Sequence, residues 1–298
     1  MNRKGRNILI GVVTGIVFLG LFIFGRILSP PGETGQLVFD DPTFPYVKMH
    51  VLDVGQACAV FVELPGHRTM LVDAGSASRA DEVKVFIQTL GVKKIDYVIA
   101  THPHADHIGG MDTLMESFDI GRMYMPDVKS EDGVETEMLT LAKQKGLTIE
   151  RAAAGVVLLD EPDLSIELLA PIHASYDDIN TYSAVVKVSY QNNTFLLMGD
   201  ATAVTEKEMM LYGADLDADV LLVAHHGADT STDKEFLDVV SPQYAVISVG
   251  ENNSYGFPSS AVSERLAAKG VRVYRTDKHG TVTFLGNGQR IAVRTEKQ

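Results

Sequence analysis

Hydrophobic positions divide this chain into three stretches. Ile8 to Phe24 is apolar or small throughout, broken only by Thr14, and Arg3, Lys4 and Arg6 precede it. That length sits at the lower limit for crossing a bilayer, about 17 residues, and exceeds the usual core of a cleavable signal peptide. Basic residues on the amino side place that end in the cytoplasm and the rest of the chain outside. No small-x-small cleavage pattern occurs in Gly25-Arg-Ile-Leu-Ser-Pro30. The pattern predicts a single uncleaved membrane anchor over residues 1–28. A cleaved signal peptide, giving a secreted protein, is the alternative. Residues 29–45, rich in Pro, Gly and acidic side chains, read as a linker, and a globular domain follows over 46–298.

Within that domain the period shifts from short strands to alternating strands and helices. Val47–Val54, Ala59–Leu64 and Thr69–Val72 read as a strand meander broken by Gly55 and Pro65-Gly66. Val83, Phe86, Ile87 and Leu90 repeat at helical spacing and stop at Gly91. Ile95–Ala100 reads as a buried strand. Further strands are expected at Leu164–Ala170, Ala184–Tyr190, Thr194–Met198, Asp219–Ala224, Tyr244–Val249, Val271–Tyr274, Val282–Leu285 and Ile291–Val293. Helices are expected over Thr205–Tyr212, Asp233–Val240 and Ser259–Lys269. A meander followed by β-α units closes either as two stacked sheets with helices outside or as a doubly wound sheet, and periodicity does not choose between them.

Composition narrows the chemistry. The 298 residues are 45% hydrophobic and 22% charged, an ordinary globular balance. A formal net charge of −13 argues against a general nucleic-acid binder, although bound metal would reverse the potential locally. Cys58 is the only cysteine. An internal disulfide and a cysteine-rich zinc site are therefore excluded, and any metal is held by His, Asp, Glu or Asn.

The candidate chemistry centres on Thr101-His-Pro-His-Ala-Asp-His-Ile-Gly-Gly110, directly after the strand ending at Ala100. Three histidines and an aspartate within six residues are more than an incidental polar loop carries. Two imidazoles one residue apart, His102 and His104, can turn toward one divalent ion, and Asp106 with His107 can face a second.

This motif resembles the H-x-H-x-D-H hallmark of the metallo-β-lactamase superfamily. Its companions, His50-Val-Leu-Asp-Val-Gly-Gln56, Val72-Asp-Ala-Gly75, Phe195-Leu-Leu-Met-Gly-Asp200, Asp219-Val-Leu-Leu-Val-Ala-His-His-Gly227 and Tyr274-Arg-Thr-Asp277, resemble the hydrolase domain of ComEC-type competence proteins. The resemblance spans about residues 47–293. It implies an α/β fold, an αββα sandwich with two divalent metal ions, zinc or manganese, at one edge between the sheets.

Carried over, the resemblance assigns His102 and His104 to the first metal and Asp106 and His107 to the second, with Asp200 bridging. His225 completes the second site. Asp106 and His226 are the expected catalytic groups, His226 facing the cleft for substrate or proton transfer; the roles of His225 and His226 are open to exchange. Asn180 occupies the place of a further histidine ligand in many superfamily members. Its carbonyl oxygen suits manganese or magnesium better than zinc. His173 is a substitute ligand or surface decoration. Asp73 and Asp277 are candidates for orienting ligating histidines, while an aspartate that merely stabilises a turn explains each equally well.

Departures from the ComEC-like pattern matter as well. It usually reads Gly-Gln-Gly-Asp-Ala, His-His-Gly-Ser and Tyr-Gly-His-Pro. This chain has Cys58, Ala228 and Phe257 at the changed positions, which are expected on the substrate side. Metal-driven hydrolysis is thus expected to persist with altered recognition. The leading expectation is an anchored, extracytoplasmic phosphodiesterase or nuclease, with DNA or a cell-envelope phosphodiester as substrate. The same site acting on a non-phosphate ester, amide or lactam, or a non-catalytic binding module for DNA or envelope polymer, are the alternatives.

Overall fold

A computed structural model of the protein describes residues 46–131 and 133–297. The expected anchor over 1–28 and linker over 29–45 lie outside the described residues. Among the described residues no helix is long and apolar enough to cross a membrane.

Two sheets carry the fold. The first has eight strands: β1 (Val47–Val51), β2 (Val60–Leu64), β3 (Arg68–Val72), β4 (Lys94–Ile99), β5 (Asp119–Met125), β6 (Ile149–Arg151), β14 (Val282–Gly286) and β15 (Ile291–Thr295). They lie in the order β15-β14-β1-β2-β3-β4-β5-β6. The second has seven: β7 (Val157–Glu161), β8 (Leu164–Ala170), β9 (Val185–Tyr190), β10 (Asn193–Leu197), β11 (Val220–Leu222), β12 (Tyr244–Ile247) and β13 (Arg272–Arg275), in the order β13-β12-β11-β10-β9-β8-β7.

Alternation along each strand creates the layers. Val47, Met49 and Val51 of β1, Val60 and Val62 of β2, and Phe195 and Leu197 of β10 point into one shared core between the sheets. Their neighbours Phe61 and Leu71 turn to the opposite face of the first sheet, where they pack with Val83, Ile87, Met111 and Leu114. These last come from α1 (Ala80–Thr89) and α3 (Met111–Ser117), joined there by α4 (Glu135–Gln144). Leu196, Leu221 and Ile247 likewise leave the second sheet outward, toward Met209, Phe236 and Leu266. Those residues belong to α5 (Ala203–Leu211), α6 (Lys234–Val240) and α7 (Ser260–Ala268). Successive side chains on a strand face opposite sides, so strands buried on both faces yield one inner and two outer cores. This is the αββα sandwich, not a doubly wound sheet.

Connectivity decides where the loops gather. Strands β3 to β6 are mutually parallel, as are β10 to β13. Their carboxyl ends open at one edge of the sandwich, the place where α/β sheets bind ligands. The stretch between Met111 and Asp163, where the pattern predicts no strand or helix, supplies α3, α4 and the strands β5 to β7.

Candidate metal centre

The carboxyl end of β4 delivers the histidine motif. After Ile99 the chain passes through Thr101 and His102 into a single helical turn, α2 (Ala105–Ile108), which His104 begins. Asp106 and His107 are thereby consecutive on a tight helix, about 100° apart around its axis. The glycines that follow have a packing cause. A Cβ on Gly110 would lie 2.4 Å from the carbonyl oxygen of Ala74, so the loop seats against the turn after β3 only without a side chain there.

That turn holds Asp73, fully buried and in the left-handed region at φ 59°. Its Oδ1 accepts from the Thr101 backbone N–H at 2.8 Å, and its Oδ2 accepts from the Thr101 hydroxyl at 2.7 Å and from His107 Nδ1 at 2.7 Å. The Thr101 hydroxyl, having donated to Asp73, can accept from His102 Nδ1 at 3.1 Å, beside Ser183 Oγ at 3.3 Å. Both rings thus keep their protons on Nδ1 and present Nε2 to the cleft. Thr101 and Ser183 are contributors the motif analysis missed; the local signal was a hydroxyl residue immediately before the first histidine.

Asp200 follows β10 and stands at the centre. Its Oδ1 is 3.1 Å from His107 Nε2 and 3.9 Å from His226 Nε2. Its Oδ2 is 3.6 Å from His225 Nε2 and 3.8 Å from His102 Nε2. His102 Nε2 and His104 Nδ1 face each other at 2.9 Å.

The two histidines after β11 sit in a turn over Ala224–Gly227, both with positive φ, 51° at His225 and 53° at His226. This backbone splits them. His226 is buried and gives its Nδ1 proton to Ser248 O at 2.7 Å, which aims Nε2 at Asp106 Oδ2, 3.3 Å away. His225 is half-buried, with Nδ1 3.3 Å from Thr230 Oγ1. Among the described residues there are three clusters of ligand atoms: His102, His107 and Asp200; Asp106, His107 and His226; and Cys58, Asp73 and His107. His226 Nε2 thus stands with Asp106 and His107, while His225 Nε2 faces Asp200 Oδ2.

Electrostatics match a cation-binding cluster. Burial opposes ionisation of Asp200, yet the His107 and His226 rings hold its carboxyl well below the usual carboxylate range. Asp106 is also held down, against burial, by His226 and His107. Burial and the neighbouring His107 push His102 down, so it is neutral. Burial disfavours charge on His107 too, but Asp200 and Asp73 raise it well above an ordinary histidine. Three buried polar atoms in this region, His107 Nε2, His226 Nε2 and Asn180 Oδ1, lack a hydrogen-bond partner. Buried orphans of this kind are costly unless something else satisfies them. The two imidazole nitrogens, clustered with Asp106, are donors that fit a divalent cation, and an amide oxygen is itself a suitable donor to such an ion.

Other predicted residues lie elsewhere. Cys58, expected beside the substrate, is 4% exposed and packs in the core between the sheets, its Sγ clustered with Asp73 and His107. Its backbone N–H donates to Asp106 O at 3.0 Å, which fixes that leg against the motif and turns the side chain inward. Burial, with Asp73 beside it, pushes the thiol up, away from a nucleophile's range. Ala228 is buried as well. Phe257 does line the cleft. Asp277 pairs with Arg275 at 2.9 and 2.5 Å, and no hydrogen bond or ion pair joins it to a histidine of the cluster among the described residues. His173 lies 3.5 Å from Glu208 Oε1 and is half exposed, without a contact to the cluster among the described residues.

Known proteins resemble this chain in sequence and in fold. The model of the metallo-beta-lactamase superfamily matches residues 52–251. ComE operon protein 3 of Bacillus subtilis is 30% identical over 291 residues, covering 92% of this chain and 35% of that protein. Competence protein ComA of Neisseria gonorrhoeae is 30% identical over 241 residues, covering 80% of this chain and 32% of that protein. The chain therefore spans about a third of the length of these relatives. Among solved structures, CmlA, a diiron beta-hydroxylase from Streptomyces venezuelae, superposes with a TM-score of 0.50 at 16% identity, covering 79% of this chain and 53% of that one. At that identity the likeness concerns the fold alone.

Proposed function

Because the chain belongs to the metallo-beta-lactamase superfamily, we propose that it is a two-cation hydrolase of phosphodiester bonds, acting outside the cytoplasm and tethered through its first residues. The observation that carries the reading is Asp200: one ionised, buried carboxylate reaching four imidazole nitrogens from two different loops, at 3.1 to 3.9 Å. A single carboxylate flanked in this way suits a bridge between two adjacent ions. His102, His104 and Asn180 Oδ1 would hold one with Asp200; Asp106, His107 and His226 would hold the other.

When bound, divalent ions would lower the pKa of water and would neutralise charge developing on a phosphoryl group. The chain's residues do the rest. Asp73 keeps the His107 proton on Nδ1, and Ser248 O does the same for His226. His225, left outside the second cluster and partly open to solvent, is kept neutral by burial and offers Nε2 as a proton acceptor toward the cleft. His104, Gln56 and Phe257 also line the cleft.

Similarity to competence protein ComA favours a nucleic-acid phosphodiester over a lactam or thioester. The test is turnover by the purified full-length chain in detergent, loaded with Mn²⁺ or Zn²⁺, on bis-p-nitrophenyl phosphate and on single- and double-stranded DNA. Two bound ions without turnover of any of these would overturn the reading. Activity that survives Asp106→Ala combined with His107→Ala would overturn the site. Resistance of the full-length protein to alkaline carbonate extraction from membranes is the expected result for the tether.

A further inference from the structure

The cleft bears an aromatic feature that hydrolysis itself does not require. Tyr255 is 68% exposed, yet it lies stacked on Phe257 with ring centroids 5.5 Å apart and planes 16° from parallel. Phe257 in turn meets the His225 ring edge-on, at 5.8 Å and 65°. Both rings line the same cleft of about 310 Å³ as Asp106, Asp200, His225 and His226. The three rings form a file from the metal cluster out to solvent.

The loop that presents them is tied down at several points. The Asn253 side chain donates to Gly250 O at 3.0 Å and to Phe257 O at 2.8 Å, and accepts from Phe257 N at 3.0 Å. Gly250 N donates to Gln56 Oε1 at 3.0 Å, and Ser259 N donates to Gly227 O at 2.9 Å. The exposed tyrosine is therefore held in place by bonded neighbours, with one face against Phe257. A large ring held in water is unfavourable by itself; it becomes favourable when a flat partner covers it.

The cleft lining includes no Lys or Arg among the described residues, and the chain carries a net charge of −13. Affinity for a polyanion beyond what metal ions supply must then come from contacts other than basic side chains. Stacking on an aromatic platform is such a contact, and it tolerates any base because every base has a π-face. We infer that Tyr255, backed by Phe257, is the stacking platform for an unpaired nucleobase next to the scissile phosphate, which makes single-stranded nucleic acid the substrate class. This rests on the phosphodiester reading of the metal centre, and it assigns Tyr255 and Phe257 to recognition of the substrate.

The full-length chain loaded with Mn²⁺ is titrated with a short single-stranded oligonucleotide carrying 2-aminopurine, and with the same oligonucleotide made abasic. The expected result is fluorescence quenching on binding and about a ten-fold preference for the intact strand, within the range known for one base–aromatic stack. Tyr255→Ala brings that preference close to one, and Tyr255→Trp keeps it. An equal affinity for intact and abasic strands, or a preference untouched by Tyr255→Ala, overturns the inference. A short chitooligosaccharide that binds in a Tyr255-dependent way, where the oligonucleotide does not, overturns it in favour of a glycan partner. Cleavage of bis-p-nitrophenyl phosphate without base preference leaves the hydrolase and removes the platform. Tyr255-dependent quenching without cleavage by any metal form leaves the platform and removes the hydrolase.

Discussion

Oδ2 of Asp73 accepts a 2.7 Å hydrogen bond from Nδ1 of His107, with both side chains fully buried. That bond decides which nitrogen His107 offers to the cleft. In Asp73→Asn an amide of the same size would place N–H groups against His107 Nδ1 or the Thr101 hydroxyl and favour the opposite tautomer. Loss of such an orienting partner typically weakens metal binding 10- to 100-fold. Competition with a chromophoric chelator should show a drop of about that size for one of the two ions. Unchanged affinity for both would remove Asp73 from the metal centre.

The two consecutive histidines should behave differently. His226 Nε2 faces Asp106 and is a buried orphan, whereas His225 is partly open and belongs to none of the tight clusters. His226→Ala is expected to lower bound metal from two ions toward one. His225→Ala should retain two ions and lose turnover, by roughly 10²- to 10⁴-fold, the size expected for loss of a general base. Metal content by mass spectrometry of the two variants separates these outcomes, and the reverse pattern would restore His225 as the ligand.

How much of this was legible in advance follows from which interactions are local. His102, His104, Asp106 and His107 declare themselves within six residues, and the strands β1 to β3 and β8 to β10 show as short, largely buried runs rich in apolar residues. His225 and His226 could not be ranked because the decision lies in two positive φ angles and in Ser248 O, contributed by the chain after β12. Cys58 was misplaced because its orientation is set by a backbone bond to Asp106, which a residue pattern does not encode. The β5 to β7 stretch was hard to read for a physical reason. Only Met123, Tyr124 and Met125 of β5 are buried, and β6 is three residues long. Asp277 found a nearer partner in Arg275, two residues earlier.

Gly227 ties the histidine turn to the aromatic loop. It has φ 82°, and a Cβ there would lie 2.6 Å from Pro258 Cβ. Gly227→Ala combines a strained backbone with an overpacked contact, each costing on the order of 1–3 kcal/mol. A lowered melting temperature together with weaker metal binding is expected. A stable variant with full metal content would mean that the turn adjusts freely.

Glu206 on α5 supplies a pH dependence independent of the metal ligands. Its side chain accepts from Thr232 N at 2.5 Å and Asp233 N at 3.0 Å, tying α5 to the start of α6. Burial outweighs these bonds and pushes its carboxyl from 4.5 up to about 7. Between those values the folded chain keeps a proton that the unfolded chain has released, so this group makes stability fall as pH rises from 4.5 to 7 and then level off. A shift of that size corresponds to about 3 kcal/mol at most. Urea unfolding with a chelator present, at pH 5 and pH 8, should show this slope in the parent. Glu206→Gln should flatten it; an identical slope in both would assign the dependence to other groups.

Asn180 gives the sharpest test of metal choice. Its backbone N–H is held by Asp178 Oδ1 at 3.0 Å at the start of a short turn, while its Oδ1 is buried without a partner. An amide oxygen is a hard, neutral donor, so an ion that depends on it is bound more weakly than by a third imidazole and shows less preference for zinc. Asn180→Ala should therefore weaken one ion and leave the other, which Asp106, His107 and His226 would hold. Asn180→His should do the opposite: tighten that ion and shift the balance between zinc and manganese toward zinc by about ten-fold or more. Competition dialysis with both metals reads the shift directly. If Asn180→His leaves the zinc-to-manganese ratio unchanged and Asn180→Ala leaves both affinities intact, the orphaned oxygen faces no ion, and the first site rests on His102, His104 and Asp200 alone.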